Sequence, residues 1–387
     1  MGFLNGRVSY VRYRVVGGAA PAFDEDLVEA ARRHLIGRHG SADSPDGVSV
    51  GWAGGDHLLD TSIDLGKNLI NDALHLAMRL DTDKIPGTLL RAYTKIETDA
   101  RAMLNSSGFP TKSQRVEAKE AALARAQTEA ADGRFRRMAQ HPLLWDSRSN
   151  VVYVGATSAS VLDRIQGLFR ETFDLSLEPI TAGSLAHSQA EVRGEGRSVE
   201  DFGPVGFLSE ATGGSTVAWT ESDASNRDFW GNEFLLWLWH TLQIDADTIR
   251  LPDDSEVTVM IAKTLTLDCP QGIHGRDQLT TEGPAKLPEA FRALQAGKLP
   301  RKVGLILVRH DIQYNLTLSA ETLAVAGAAL PKVEGDSQGE IHATRIDSLR
   351  HLVETLDLLY DAYGRKRISP DWTGELGRIR TWLGQAA

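Results

Sequence analysis

The stretch Phe229–Leu242, FWGNEFLLWLWHTL, sets the tightest limit on how this chain can fold. Trp230, Phe234, Trp237 and Leu238 fall at i, i+4, i+7 and i+8, the spacing of one helical face, and Leu235 and Leu242 add to it. A helix this apolar must be enclosed on most sides, so the chain needs a core large enough to surround it. The longest uninterrupted apolar run, Phe234–Trp239, is six residues, far short of the roughly 20 that a membrane-crossing helix needs. The same aromatics could stack nucleic-acid bases only if they were exposed. Their helical spacing favours core.

At 387 residues the chain has room for two or three domains at about 150 residues each. Its single cysteine, Cys269, excludes an internal disulfide framework and any multi-cysteine metal site. Arg7, Arg12 and Arg14 break up the first residues, so no secretory leader is expected. Gly6 stands where a myristoylation motif carries Ser or Thr. These features point to a cytoplasmic protein without a membrane partner.

Leu4–Val16 reads as a strand with one wet face, and Phe23–Arg38 as a helix with acids at its start and Arg32, Arg33 and Arg38 towards its end. Val48–Ala53, His57–Leu65 and Ala73–Leu80 read as strands, the last with a short helix as the alternative. Pro86 opens a helix over Gly87–Leu104 whose inner face is Leu89, Leu90, Tyr93 and Ile96. Thr111–Ala131 is a second helix with a thin apolar face of Val116, Leu123 and alanines, suited to projecting from the body. Arg134–Trp145 and Asn150–Gly155 follow as strands, then a helix over Ser158–Phe173 and a strand over Leu175–Ile180. Ala182–Asn226, rich in Gly, Ser, Glu and Thr, reads as a linker or long surface loop with possible strands at Val205–Leu208 and Thr216–Trp219. Beyond the apolar helix, Glu256–Asp268, Arg301–His310 and Gln313–Leu318 read as strands, the last two joined across Asp311-Ile312. Asp336–Glu340 reads as a polar loop, and Ile346–Tyr363 and Trp372–Leu383 as closing helices. The expected fold is α+β: antiparallel sheets with packed helices in an N-terminal domain (1–181) and a C-terminal domain (229–387), a linker at 182–228, and a charged helical arm at about 87–131.

Enzyme signatures are missing. The sequence holds no nucleotide P-loop, no G-x-S-x-G elbow and no H-E-x-x-H. The eleven histidines are scattered; His57 near Asp60 and His310 near Asp311 come closest to metal-ligand spacing, and an ordinary loop histidine is the commoner reading. Asp253, Asp254, Glu256 and Lys263 contain the residue types of a metal-dependent nuclease. Their odd spacing puts Glu256 and Lys263 on opposite strand faces, which favours a charged hairpin entry.

Charge distribution gives the one functional signal. The chain carries a net −10, yet Leu89–Arg137 holds more basic than acidic residues. Lys112, Arg115 and Lys119 fall within about 60° of arc at 100° per residue. Arg91, Lys95 and Arg101 lie on the preceding helix, and Arg134, Arg136 and Arg137 on the strand that follows, with Arg134 and Arg136 on one face. Such a cluster suits phosphate contacts without base reading. A merely solvated helix face is the plain alternative.

The run IPGTLLRAYTKIETDARAMLNSSGFPTKSQRVEAKEAALARA, followed by HPLLWDSRSNVVYVGATSASVLDRIQGLFRETFDLSLEPI, resembles the recombination-associated protein RdgC family. FWGNEFLLWLWHTLQ, VGLILVRHDIQYNLTLSAETLAVAGAALP and LLYDAYGRKRISPDW look like its longer, divergent branch. The resemblance implies a homodimeric ring around double-stranded DNA, with a positive hole and an acidic exterior. It further implies DNA binding with little sequence preference, nucleoid association and restraint of a recombinase filament, with no catalysis and no cofactor. The basic cluster is then the expected DNA contact, an inference from charge pattern. The rival readings are a metal-dependent nuclease using Asp254 and Glu256, and a recombination-machinery interaction module without DNA contact.

Overall fold

In the computed structural model, residues 2–19, 21–37, 47–207, 227–269 and 275–385 are described. In chain order the elements are β1 (Val8–Val16), α1 (Glu25–Arg33), β2 (Val48–Ala53), α2 (Leu65–Asn68), β3 (Leu69–Ile70), β4 (Ala73–Asp83), α3 (Gly87–Ala102), α4 (Lys112–Ala131), β5 (Arg136–Asp146) and β6 (Val151–Val154). There follow α5 (Ala159–Phe173), β7 (Ser176–Pro179), α6 (Ala182–Val192), α7 (Gly196–Asp201), α8 (Phe229–Ile244), β8 (Thr248–Arg250), β9 (Glu256–Asp268) and β10 (Asp277–Thr281). The chain closes with α9 (Pro288–Gln295), β11 (Leu299–Arg309), β12 (Ile312–Ser319), β13 (Val325–Ala329), α10 (Gln338–Ile368) and α11 (Trp372–Gln385). The strands form one antiparallel sheet in the order β10-β9-β11-β12-β13-β1-β6-β5-β4-β2, with β3 beside β4, β7 beside β1 and β8 beside β9. The α+β class holds.

β1 joins the two halves of that sheet. Its first residues pair with β13, its middle with β6 and its end with β7. Val8 and Tyr10 belong to the larger core, whereas Tyr13 and Val15, of opposite parity, belong to the smaller. The expected single wet face is therefore replaced by burial that changes sides midway. At the change, the Arg12 guanidinium donates to Asp357 at 2.8 Å, which meets the requirement that a buried charge be paired.

The smaller core lies under α1 and α5, between Trp52, Leu76, Trp145 and Phe169. The larger core wraps α8, whose residues Phe229–His240 are all buried. The 31-residue α10 runs alongside it, about 46 Å at 1.5 Å per residue. Gly231 makes the tight fit possible: a Cβ there would stand 1.9 Å from the Ala320 carbonyl oxygen.

Several expectations are corrected. Residues 182–201 are not linker: Thr181 and Ser184 form a capping box that starts α6, and Ala182, Leu185, Ala186 and Ala190 enter the larger core. Small residues gave that helix little visible periodicity. Beyond α7, Val205 N–H donates to Glu233, which also binds Arg367 at 2.9 Å. Val205–Phe207 is not a strand; Leu208, Thr216–Trp219 and Arg38 lie outside the described residues. Residues 57–64 are an irregular loop, not a strand, held by Asp60, which accepts from Asp56 N–H, Ser62 N–H and Lys67. The β11–β12 turn is His310-Asp311, both at positive φ, one residue earlier than expected. α10 begins inside the expected polar loop, capped by Ser337.

Candidate nucleic-acid interface

β4 and β5 pair over their full lengths, from Ala73 opposite Asp146 to Asp83 opposite Arg136. Between those last two residues the chain inserts α3 and α4, which pack on each other and on no other element to a comparable extent. The arm therefore projects from the open end of a long hairpin. α4 has 20 residues, giving a reach of about 30 Å.

Alanine makes the arm's seam. Ala118, Ala122 and Ala126, spaced four apart, are buried, whereas α3 has no buried residue. The expected apolar face is thus misplaced: Val116, Leu123 and Ile96 point outward, 52, 42 and 53% exposed. Polar clamps compensate for the thin seam. Near the body, Tyr93 Oη donates to the Glu129 carboxylate at 2.7 Å, and the Arg125 guanidinium lies 4.1 Å from the Tyr93 ring centre. At the tip, Asn105 and Gln114 exchange amide hydrogen bonds, and Thr111 with Gln114 completes a capping box. The tip itself shows Met103, Leu104 and Phe109 to solvent, 84, 82 and 73% exposed. Sequence reading placed Met103 and Leu104 at the end of the first arm helix and Phe109 in the loop after it; three large apolar residues around one short connection were the available signal.

The nine basic candidates separate into two groups. Lys95 pairs with Asp99, Arg101 with Glu97, Arg134 with Glu129 and Arg136 with Asp83. Their charges are largely cancelled at short range. Arg134 also sits in a turn rather than on β5, so it does not share a strand face with Arg136. Lys112, Arg115, Lys119, Arg91 and Arg137 are exposed and make no ion pair among the described residues. Arg91 only donates back to Gly87 O at 3.3 Å. The first three keep the predicted arc on one helix, so α4 presents a face of unpaired cations, with exposed Glu117 and Glu120 beside it.

The acidic cluster proposed for a nuclease does not assemble. Asp253 is held by Arg309 at 2.6 Å and Asp254 by Arg250 at 2.8 Å. A bulge at Lys263, φ 67°, shifts the alternation of β9. Glu256 and Lys263 therefore share the exposed face, contrary to the parity argument, but about 23 Å apart at 3.3 Å per residue. Gly304 permits the bulge, since a Cβ there would meet the Ala262 carbonyl oxygen at 2.0 Å. His57 and Asp60 serve the local turn: His57 Nδ1 accepts from Leu59 N–H. His310 faces His351 at 3.3 Å rather than a carboxylate. No helix among the described residues is long and apolar enough to cross a membrane. No family model matches the chain, and no curated protein matches its sequence.

Proposed function

We propose that this protein binds double-stranded DNA without sequence preference and without catalysis, using the α3–α4 arm as its phosphate contact. One observation carries the reading: Lys112, Arg115 and Lys119 are exposed and, among the described residues, free of ion pairs on a projecting helix, while the chain as a whole carries −10. An acidic body repels DNA everywhere except where positive charge is concentrated, which directs the duplex to the arm. Contacts from Lys and Arg to phosphates position a duplex without reading its sequence. The resemblance to the RdgC family supports the same reading and extends it to a homodimer that encloses the duplex. The apolar tip of Met103, Leu104 and Phe109 is the surface suited to meet a second copy. Bound in this way along nucleoid DNA, the protein would compete with a recombinase filament for the duplex.

The test is retention of unrelated duplex sequences by purified protein at low salt, without metal. Equal affinity across sequences, lost together on Lys112→Glu, Arg115→Glu and Lys119→Glu, is expected. No retention of any duplex overturns the DNA reading. Divalent-metal-dependent cleavage, lost on Asp254→Asn or Glu256→Gln, overturns the non-catalytic part.

A further inference from the structure

The ends of α8 and α11 meet at a seam unconnected with the arm. His240, in the last turns of α8, is 1% exposed, and Glu375, in the first turn of α11, is 5% exposed. His240 Nδ1 stands 3.4 Å from Glu375 Oε1, yet neither atom finds a hydrogen-bond partner. A buried imidazole nitrogen facing a buried carboxylate oxygen costs free energy unless a proton or a metal ion lies between them. Asp245, the residue that ends α8, brings a third donor, and the three ligand atoms lie within 4.8 Å of one another.

The chemistry of the set narrows what fits. Two ligands each about 2.0–2.1 Å from a tetrahedral zinc ion are about 3.4 Å apart, the separation found between His240 and Glu375. An imidazole nitrogen with two carboxylates suits zinc and its transition-metal neighbours better than magnesium or calcium, which prefer oxygen alone. Arg378 bridges the two carboxylates, with Nη1 3.1 Å from Glu375 Oε2 and its other terminal nitrogen on Asp245 Oδ1. The guanidinium engages one oxygen of each carboxylate and leaves Glu375 Oε1, the one nearest His240, without a hydrogen-bond partner. Trp382 packs edge-on against the His240 ring, 5.4 Å between ring centres, which fixes its orientation.

We propose that His240, Asp245 and Glu375 bind a divalent transition-metal ion of the zinc class, tying the C-terminal end of α8 to the first turn of α11. The ion enters from the solvent side, where Asp245 is exposed, and its fourth position is left for water. It fastens the helix that closes the larger core.

The experiment uses tag-free, full-length protein stripped with chelator and titrated with zinc chloride, followed by calorimetry and by melting temperature. Uptake of one ion per chain is expected, with a rise in melting temperature of about 3 °C or more at saturation. Glu375→Gln and Asp245→Asn should each weaken uptake by about 10-fold or more. Asp245 is on the surface, so its variant keeps the fold and the result stays interpretable. The other close histidine pair, His310 Nδ1 and His351 Nε2 at 3.3 Å, supplies the control: His351→Gln should leave uptake unchanged. Uptake weaker than about 100 μM, uptake that survives both carboxylate variants, or uptake lost with His351→Gln would each overturn the proposal.

Discussion

Replacing Lys112, Arg115 and Lys119 together with glutamine removes three unpaired cations from each arm and leaves its seam intact, because none of the three is buried. A homodimer would then lose six. Counterion release gives a slope of log K against log salt of about −0.9 per neutralised phosphate, so the wild-type protein should show a slope steeper by about 5 than the variant. Between 50 and 200 mM salt this amounts to about a 10³-fold greater loss of affinity for the wild type. Fluorescence anisotropy on a duplex of fixed length, repeated across the salt series, reads both slopes directly. Lys95→Gln, Arg101→Gln and Arg136→Gln provide the contrast, since each of those cations already has its own carboxylate; that triple variant should alter the slope by much less. Equal slopes for wild type and the α4 variant would refute the assignment of phosphate contact to α4.

Three further outcomes follow from other parts of the structure. Phe109→Asp places a charge on the apolar tip and should reduce dimer content in sedimentation while leaving the monomer folded; an unchanged dimer would remove the tip as the contact between copies. Arg367→Met leaves the Glu233 carboxylate buried without its cation, where the pair now stands 2% exposed on both sides, and should cost about 3–5 kcal/mol in urea unfolding. A loss below about 1 kcal/mol would contradict that reading. Burial pushes the His75 imidazole down from 6.5 to about 4, so the folded protein holds it neutral where the unfolded chain takes up a proton. Stability is therefore full above pH 6.5 and falls, by up to about 3 kcal/mol, as pH approaches 4. Wild type and His75→Gln should show urea midpoints that converge over that interval; parallel curves would refute it. His141, His342 and His351 are shifted in the same direction, also by burial.

Strong periodicity made much of the fold legible from sequence. The apolar helix at Phe229, the arm helices on either side of Pro110, and the strands at Val48 and Ala73 follow from spacing and caps. Helix α6 was missed because its buried face is alanine and glycine with one leucine, Leu185, which hydropathy does not distinguish from a loop. The parity of β9 was misjudged because a bulge depends on the close approach of Gly304 from the neighbouring strand, a tertiary contact. At the arm, sequence identified the helices and the basic arc. It could not separate Lys95 or Arg136 from Lys112, because pairing with Asp99 is one reading of a helical spacing, and pairing with Asp83 depends on the β4–β5 register. Val116 and Leu123 were assigned inward because they are the larger apolar residues, but the close helix packing selects Ala118, Ala122 and Ala126 instead.

The central claim is that two copies of this chain enclose duplex DNA. Retention on closed circular duplex and on the same duplex linearised, compared across a salt series without metal, tests it most directly. Retention on circles that resists salt, and release when the circle is cut, is the predicted result. Equal salt-sensitive release from both forms would contradict enclosure, and failure to bind either form at low salt would contradict DNA binding itself.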